Sequence, residues 1–183
     1  MKKHLLALSL GLSVALAGTS AFANTGTLNF EGKITSSTCP IEVVNPEDGQ
    51  VGNQVKMGSI EASRFTASGQ EFSGKRFGLR VKGGAGCGFN PSGNTATVTF
   101  NGTADASGDY FAVTPTGDGA KNVVIVLKDK SGASIAPGAA STVYDLNDTG
   151  ITDMLFDAYY RSTAATVMAG TASADVQFIV AIN

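Results

Sequence analysis

Several stretches of the chain alternate polar and apolar residues with a period of two, the spacing of a strand with one buried face. Residues 27–31 (TLNFE) alternate, as do 77–82 (FGLRVK) and 95–100 (TATVTF). Residues 176–182 (VQFIVAI) place Val176, Phe178, Val180 and Ile182 on one face. The run VVIVL at 123–127 is apolar throughout, which suits a fully buried strand, and residues 129–132 (DKSG) supply its turn. Residues 156–161 are rich in aromatics, and Asn101-Gly102 is a strong hairpin-turn pair. No window holds a long 3.6-residue period; a short helical turn is expected near 60–65. The pattern predicts about seven or eight short strands, an all-β, immunoglobulin-like β-sandwich.

The first 23 residues do not fit that sandwich. Lys2, Lys3 and His4 precede an apolar run over 5–17, and Ala21-Phe22-Ala23 puts small residues where a signal peptidase reads. The run is shorter than the roughly 20 apolar residues a membrane span needs. A cleaved signal peptide is therefore expected at 1–23. The chain beyond it holds 11 basic and 15 acidic residues, net −4, and no histidine, because His4 is the only one.

This composition narrows the chemistry. An acidic surface does not suit nucleic acid. Without histidine, a Ser or Cys nucleophile has no His base, and the usual His-containing zinc sites cannot form. No Ser-x-x-Lys spacing occurs at any lysine after residue 23. Asp105/Asp109 and Asp153/Asp157 are near in sequence, but proximity alone does not set glycosidase geometry. Asp145, Asn147 and Gly150 fit positions 1, 3 and 6 of an EF-hand loop, yet Thr149 stands at position 5 and Phe156 where the bidentate Glu belongs. A polar turn is the better account. The glycine-rich 83–88 is neither a P-loop nor GxGxxG and reads as backbone room for a turn. No enzyme, cofactor or metal site is expected.

Cys39 and Cys87 both follow the signal segment. Export to an oxidising compartment favours a Cys39–Cys87 disulfide over two buried thiols. Closing a loop of about 50 residues would contribute roughly 4 kcal/mol.

Ahead of Cys39 lies an extended arm, residues 24–36, with Leu28, Phe30, Gly32 and Ile34 in one register. It reads either as a plain first strand or as a strand made for a groove elsewhere. The run GTLNFEGKITSSTC resembles the start of chaperone–usher fimbrial subunits of the type 1 pilin family, with Phe30, Gly32, Ile34 and Cys39 at the family's positions. FGLRVKGGAGC resembles the strand that delivers its second cysteine, here Cys87. TVTFNGTAD and VVIVLKDKSGASI resemble later segments, and AYYRSTAATVMAGTASADVQFIVAIN resembles its C-terminal signature, with Gly170 fourteenth from the C-terminus. Ile182 stands where the family usually has a penultimate Tyr.

The resemblance implies a sandwich lacking its last strand, with an apolar groove beside the C-terminal strand. It divides the chain into a signal peptide (1–23), a donor-strand extension (24–36) and a pilin domain (37–183). Leu28, Phe30, Gly32 and Ile34 would be the donor face; Gly170, Val176, Phe178, Val180 and Ile182 would belong to the acceptor. The implied partners are other pilin subunits, a periplasmic chaperone and an outer-membrane usher, with no nucleic acid and no membrane insertion. The implied location is an extracellular fimbria reached through the periplasm. A tip or minor subunit that itself binds a host glycan is the competing expectation. Burying Leu28, Phe30 and Ile34 in a groove would contribute roughly 5–9 kcal/mol gross, reduced by the cost of ordering the arm.

Overall fold

A computed structural model describes residues 26–32, 39–84, 87–90 and 93–183. The expected signal peptide and Ile34 lie outside the described residues. The strands are β1 (Gly26–Gly32), β2 (Ile41–Val44), β3 (Gln54–Gly58), β4 (Glu71–Lys82), β5 (Asn94–Gly102), β6 (Phe111–Ala112), β7 (Val123–Lys128), β8 (Ser134–Ile135), β9 (Tyr144–Leu146), β10 (Ile151–Ser162) and β11 (Ala174–Ile182). The expected helical turn is a single 3-10 turn at Ala62–Arg64.

The strands form two sheets. One runs β3-β1-β11-β5-β9; the other runs β2-β4-β10-β7-β6, with β8 added to β7. Their inner faces alternate as the sequence pattern requires: Ala96, Val98 and Phe100 on β5 are buried between half-exposed threonines, and Met154, Phe156, Ala158 and Tyr160 on β10 are buried between half-exposed neighbours. The sheets meet at an aromatic cluster. Phe156 of β10 stacks on Phe77 of β4 at 5.5 Å and takes the edge of Phe100 of β5 at 4.9 Å. Such pairs add to plain burial because ring edges and faces carry opposite partial charge.

The second sheet is knit by the β4–β10 ladder, which runs from Ile151 opposite Lys82 to Arg161 opposite Glu71. A bulge interrupts it at Tyr159, beside Ser73 in the left-handed region (φ 56°) and Gly74. A Cβ on Gly74 would sit 2.5 Å from the Tyr159 ring, so only glycine fits there. On the outer face, Arg76 grips Asp157 and Arg80 grips Asp153, each through two hydrogen bonds. Glu71 accepts from both Lys128 and Arg161. Cys39 and Cys87 are joined, with their Cα atoms 4.6 Å apart. The bond clamps the approach to β2 onto the chain leaving β4, next to the β2–β4 ladder.

Of two sequence expectations about turns, one comes out differently. Asn101-Gly102 is not a hairpin turn; both residues lie in β5. A Cβ on Gly102 would approach the Phe111 ring at 3.0 Å and the Asp175 carbonyl at 3.2 Å, so the glycine provides clearance. The chain reverses further on, where the Asp105 N–H donates to the Tyr110 carbonyl and the Asp105 carboxylate accepts from the Tyr110 N–H. The loop after β9 is a polar turn, as expected. Asn147 Oδ1 accepts from the N–H groups of Thr149 and Gly150, and Phe156 is core. Gly83 packs against the carbonyls of Asn147, Asp148 and Gly150, so the first glycine of the 83–88 stretch makes room for that loop.

Candidate functional site, a strand-docking groove

The first sheet contains a strand from a distant part of the chain. β1 lies between β3 and β11. It runs parallel to β11, with Leu28 beside Ala174, Phe30 beside Val176 and Gly32 beside Phe178. It runs antiparallel to β3, with Leu28 beside Val55 and Asn29 beside Gln54. β1 therefore bridges two strands that the rest of the chain leaves one strand apart. The sandwich position that the resemblance leaves to a strand from elsewhere holds β1 of the same chain here.

The groove is apolar for a local reason. Ala174, Val176 and Phe178 alternate inward on β11, and Val55 and Met57 alternate inward on β3. All five belong to the main core. The expected acceptor residues Val180 and Ile182 continue the same face of β11 but are only half-buried. Among the described residues the β1 ladder reaches Phe178, and on the other side Val180 and Ile182 pair with Val98 and Ala96 of β5. Thus Val176, Phe178, Val180 and Ile182 share a strand and a face.

Gly170 belongs to the frame of the groove and not to its wall. It precedes β11, where Gly119 bridges Thr171 and Lys121 bridges Met168. A Cβ on Gly170 would collide with the backbone of Asp118, Gly119 and Ala120. The absence of a side chain lets two backbone segments touch and fixes where β11 begins. Tyr160 of the opposite sheet supports the same spot: its hydroxyl donates to the Ala172 carbonyl at 3.0 Å. Burial pushes that phenol up to about 12, so it remains a donor at neutral pH. At this end of the groove a small cavity of about 40 Å³ is lined by Gly58, Ile60, Phe65, Tyr160, Met168 and Ala172.

The sequence missed the β3 lip. QVKMG holds only two apolar positions in five residues, too short a pattern to stand out. Asp153 and Asp157 are absorbed by Arg80 and Arg76 on the outer face of β10, and Asp105 is absorbed in its own turn. Ion pairing with Arg80 holds Asp153 below the ordinary carboxylate range. These carboxylates are structural groups.

The fold and groove define a class: an all-β pilin with an immunoglobulin-like sandwich that is incomplete without the strand between β3 and β11. The chain belongs to the fimbrial protein family, whose model matches residues 28–183. It is 32% identical to the probable major fimbrial subunit LpfA of Escherichia coli O157:H7, over 97% of this chain and 95% of that protein. Among solved structures it is similar to the antigen and type I fimbria protein of Burkholderia pseudomallei, with 33% identity, a TM-score of 0.54, and coverage of 88% of this chain and 99% of that one. It shares its fold with the P pilus rod subunit PapA at 17% identity and a TM-score of 0.58, covering 80% of this chain and all of that one. The protein is a structural pilin, from a family of fibre subunits and not of enzymes.

Proposed function

We propose that this subunit polymerises by donor-strand exchange. Residues 24–36 are the donor arm, and the groove between β3 and β11 is the acceptor. The observation that carries the reading is the double pairing of β1: one strand supplies the hydrogen-bond partners of both lips at once. A long unpaired edge is an aggregation hazard, so a groove of this kind needs an occupant throughout its life. Backbone ladders give affinity to any strand added there, and pockets for alternate side chains give selectivity. The β11 register supports Leu28, Phe30 and Gly32 as the donor face, with Gly32 beside the bulky Phe178.

In this reading residues 1–23 direct export and are removed, and a periplasmic chaperone lends the groove a strand until an outer-membrane usher passes the subunit into an extracellular fimbria. Cell adhesion is then a property of the assembled fibre. The deciding experiment uses a chain lacking residues 24–36, unfolded thermally with and without a synthetic peptide of 24–37. A large rise in midpoint with the peptide is expected. An arm-deleted chain that is already stable and indifferent to the peptide would overturn the proposal. Specific glycan binding by such a chain would then favour the adhesin reading.

A further inference from the structure

We propose that Asn147 is an acceptor site for asparagine-linked glycosylation, taking an oligosaccharide from a lipid diphosphate carrier. The inference rests on the export reading, since such acceptors belong to secreted chains, and is independent of donor-strand exchange. The chain carries two Asn-x-Thr sequences with no proline in the middle, Asn101-Gly102-Thr103 and Asn147-Asp148-Thr149. The fold separates them. Asn101 is half-buried within β5, paired with Gln177 of β11. Asn147, Asp148 and Thr149 are all exposed, in the loop between β9 and β10. A glycan is bulky and hydrophilic and needs a surface position, so the folded chain offers the second sequence and not the first.

The local geometry adds to the match. Leu146 is buried, so Asp145 and Asn147 on either side of it share the outward face. Asp145 makes no ion pair or side-chain hydrogen bond among the described residues. Its carboxylate is open to a cationic side chain of a transferase, two positions ahead of the acceptor. The first sequence has Thr99 at that position. Asn147 Oδ1 accepts from the N–H groups of Thr149 and Gly150 at 3.1 and 2.9 Å and from the Thr149 hydroxyl at 3.3 Å. This turn holds the hydroxyl of the third residue against the amide of the first and occupies the amide oxygen. The loop is braced from below, where the Gly83 N–H donates to the Gly150 carbonyl and the Asn147 N–H to the Thr152 hydroxyl, both at 2.8 Å. An enzyme therefore meets a pre-formed turn and has little left to order.

In the reaction, Asn147 Nδ2 bonds to the anomeric carbon of the first sugar as that carbon's bond to the diphosphate oxygen breaks. The lipid diphosphate leaves with the electron pair, and the proton lost from Nδ2 passes to a basic group of the transferase. Nothing is oxidised or reduced. β9 stands at the edge of its sheet, with β5 and β11 between it and β1. A glycan there covers the β9 edge and leaves the strand-docking groove clear.

Two measurements test this. In the first, the full chain is produced in a bacterium carrying an oligosaccharyltransferase and its lipid-linked oligosaccharide, and its peptides are mapped by mass spectrometry. The expected result is a glycan mass on the peptide holding Asn147 and none on the one holding Asn101. Thr149→Ala should abolish it and Thr149→Ser should keep it. Asp145→Asn should lower the modified fraction about tenfold, as loss of one charge-assisted contact does. A chain cleaved after Ala23 with Asn147 unmodified, or with the glycan on Asn101 instead, would overturn the proposal. A chain that keeps residues 1–23 would overturn the export reading, and the site is then decided by the second measurement. There the purified folded chain is incubated with the solubilised transferase and the same lipid-linked oligosaccharide. Modification at Asn147 is expected; an untouched Asn147 beside a fully modified control peptide would overturn the proposal. Neither readout involves polymerisation, so failure here leaves donor-strand exchange standing.

Discussion

The β4–β10 ladder and the β1–β11 ladder are both central to their sheets, yet they are built differently. β4 and β10 are each 12 residues long, and their outer face is tied by Arg76–Asp157, Arg80–Asp153 and the Glu71 pair. Their inner faces hold Phe77 and Phe156 in the aromatic cluster. Among the described residues β1 covers seven, and its ladder with β11 spans five. One ladder is fixed by backbone, ring packing and charge together; the other relies on backbone pairing and the apolar groove. On the donor-strand proposal, the difference separates a permanent seam from an exchangeable one. The sheet edges support the contrast: β2, β3, β6, β8 and β9 are four, five, two, two and three residues long, short templates for a stray strand.

The sharpest way to break the comparison is to damage the permanent seam and ask whether the exchangeable one can compensate. Phe156→Ala removes a ring that is 1% exposed and touches Phe77, Phe100 and Tyr144. A loss of about 3–5 kcal/mol is expected in urea unfolding. Added arm peptide should restore little of it, whereas it should restore most of the loss caused by deleting the arm. Full rescue of Phe156→Ala by the peptide would show that the two seams are not independent.

Gly170→Ala probes the junction between the regions. The new methyl group meets the backbone of 118–120, which cannot turn aside as a side chain would. A loss of about 1–3 kcal/mol is expected, the usual cost of overpacking. The arm peptide should also bind more weakly, because the start of β11 moves. Unchanged peptide affinity would separate Gly170 from the groove.

The smallest effect concerns charge on the permanent seam. Burial raises the Glu71 carboxyl, but hydrogen bonds from Lys128 and Arg161 outweigh it and hold the group below its ordinary 4.5. A depressed carboxylate stabilises the fold above its unfolded value and loses that contribution as the pH falls through its folded value. Glu71→Gln should therefore cost less than about 1 kcal/mol at pH 7, as a largely surface pair would. The gap from the unaltered chain should close as the pH drops below 4.5. A gap that stays constant to pH 2 would mean that packing, and not charge, accounts for it.

The long alternating strands were legible because burial on one face leaves a period-two signature. β5, β11 and the later part of β4 carry it, whereas β7 stood out by an unbroken apolar run and the later part of β10 by its aromatics. β4 begins at Glu71, six residues before the alternation is visible, because the bulge at Ser73 and Gly74 breaks the period. β2, β3, β6, β8 and β9 are too short to show one. Within the groove, β11 and the arm announced themselves by alternation, whereas β3 did not. Gly170 was visible as a residue, but its reason was not, since the backbone it touches lies some fifty positions earlier and only the fold brings them together.

Where β11 sits in the chain sets an order of events. Its last residue, Ile182, pairs with Ala96, and Asn183 exchanges two backbone hydrogen bonds with Thr95. One wall of the groove and the strand that fills it are thus far apart in sequence, residues 28–32 of β1 pairing with 174–178 of β11. A seam between strands so remote in sequence must close a long loop, and such contacts form late. Until that closure, the apolar residues of β3 and β11 lack the cover that β1 gives them.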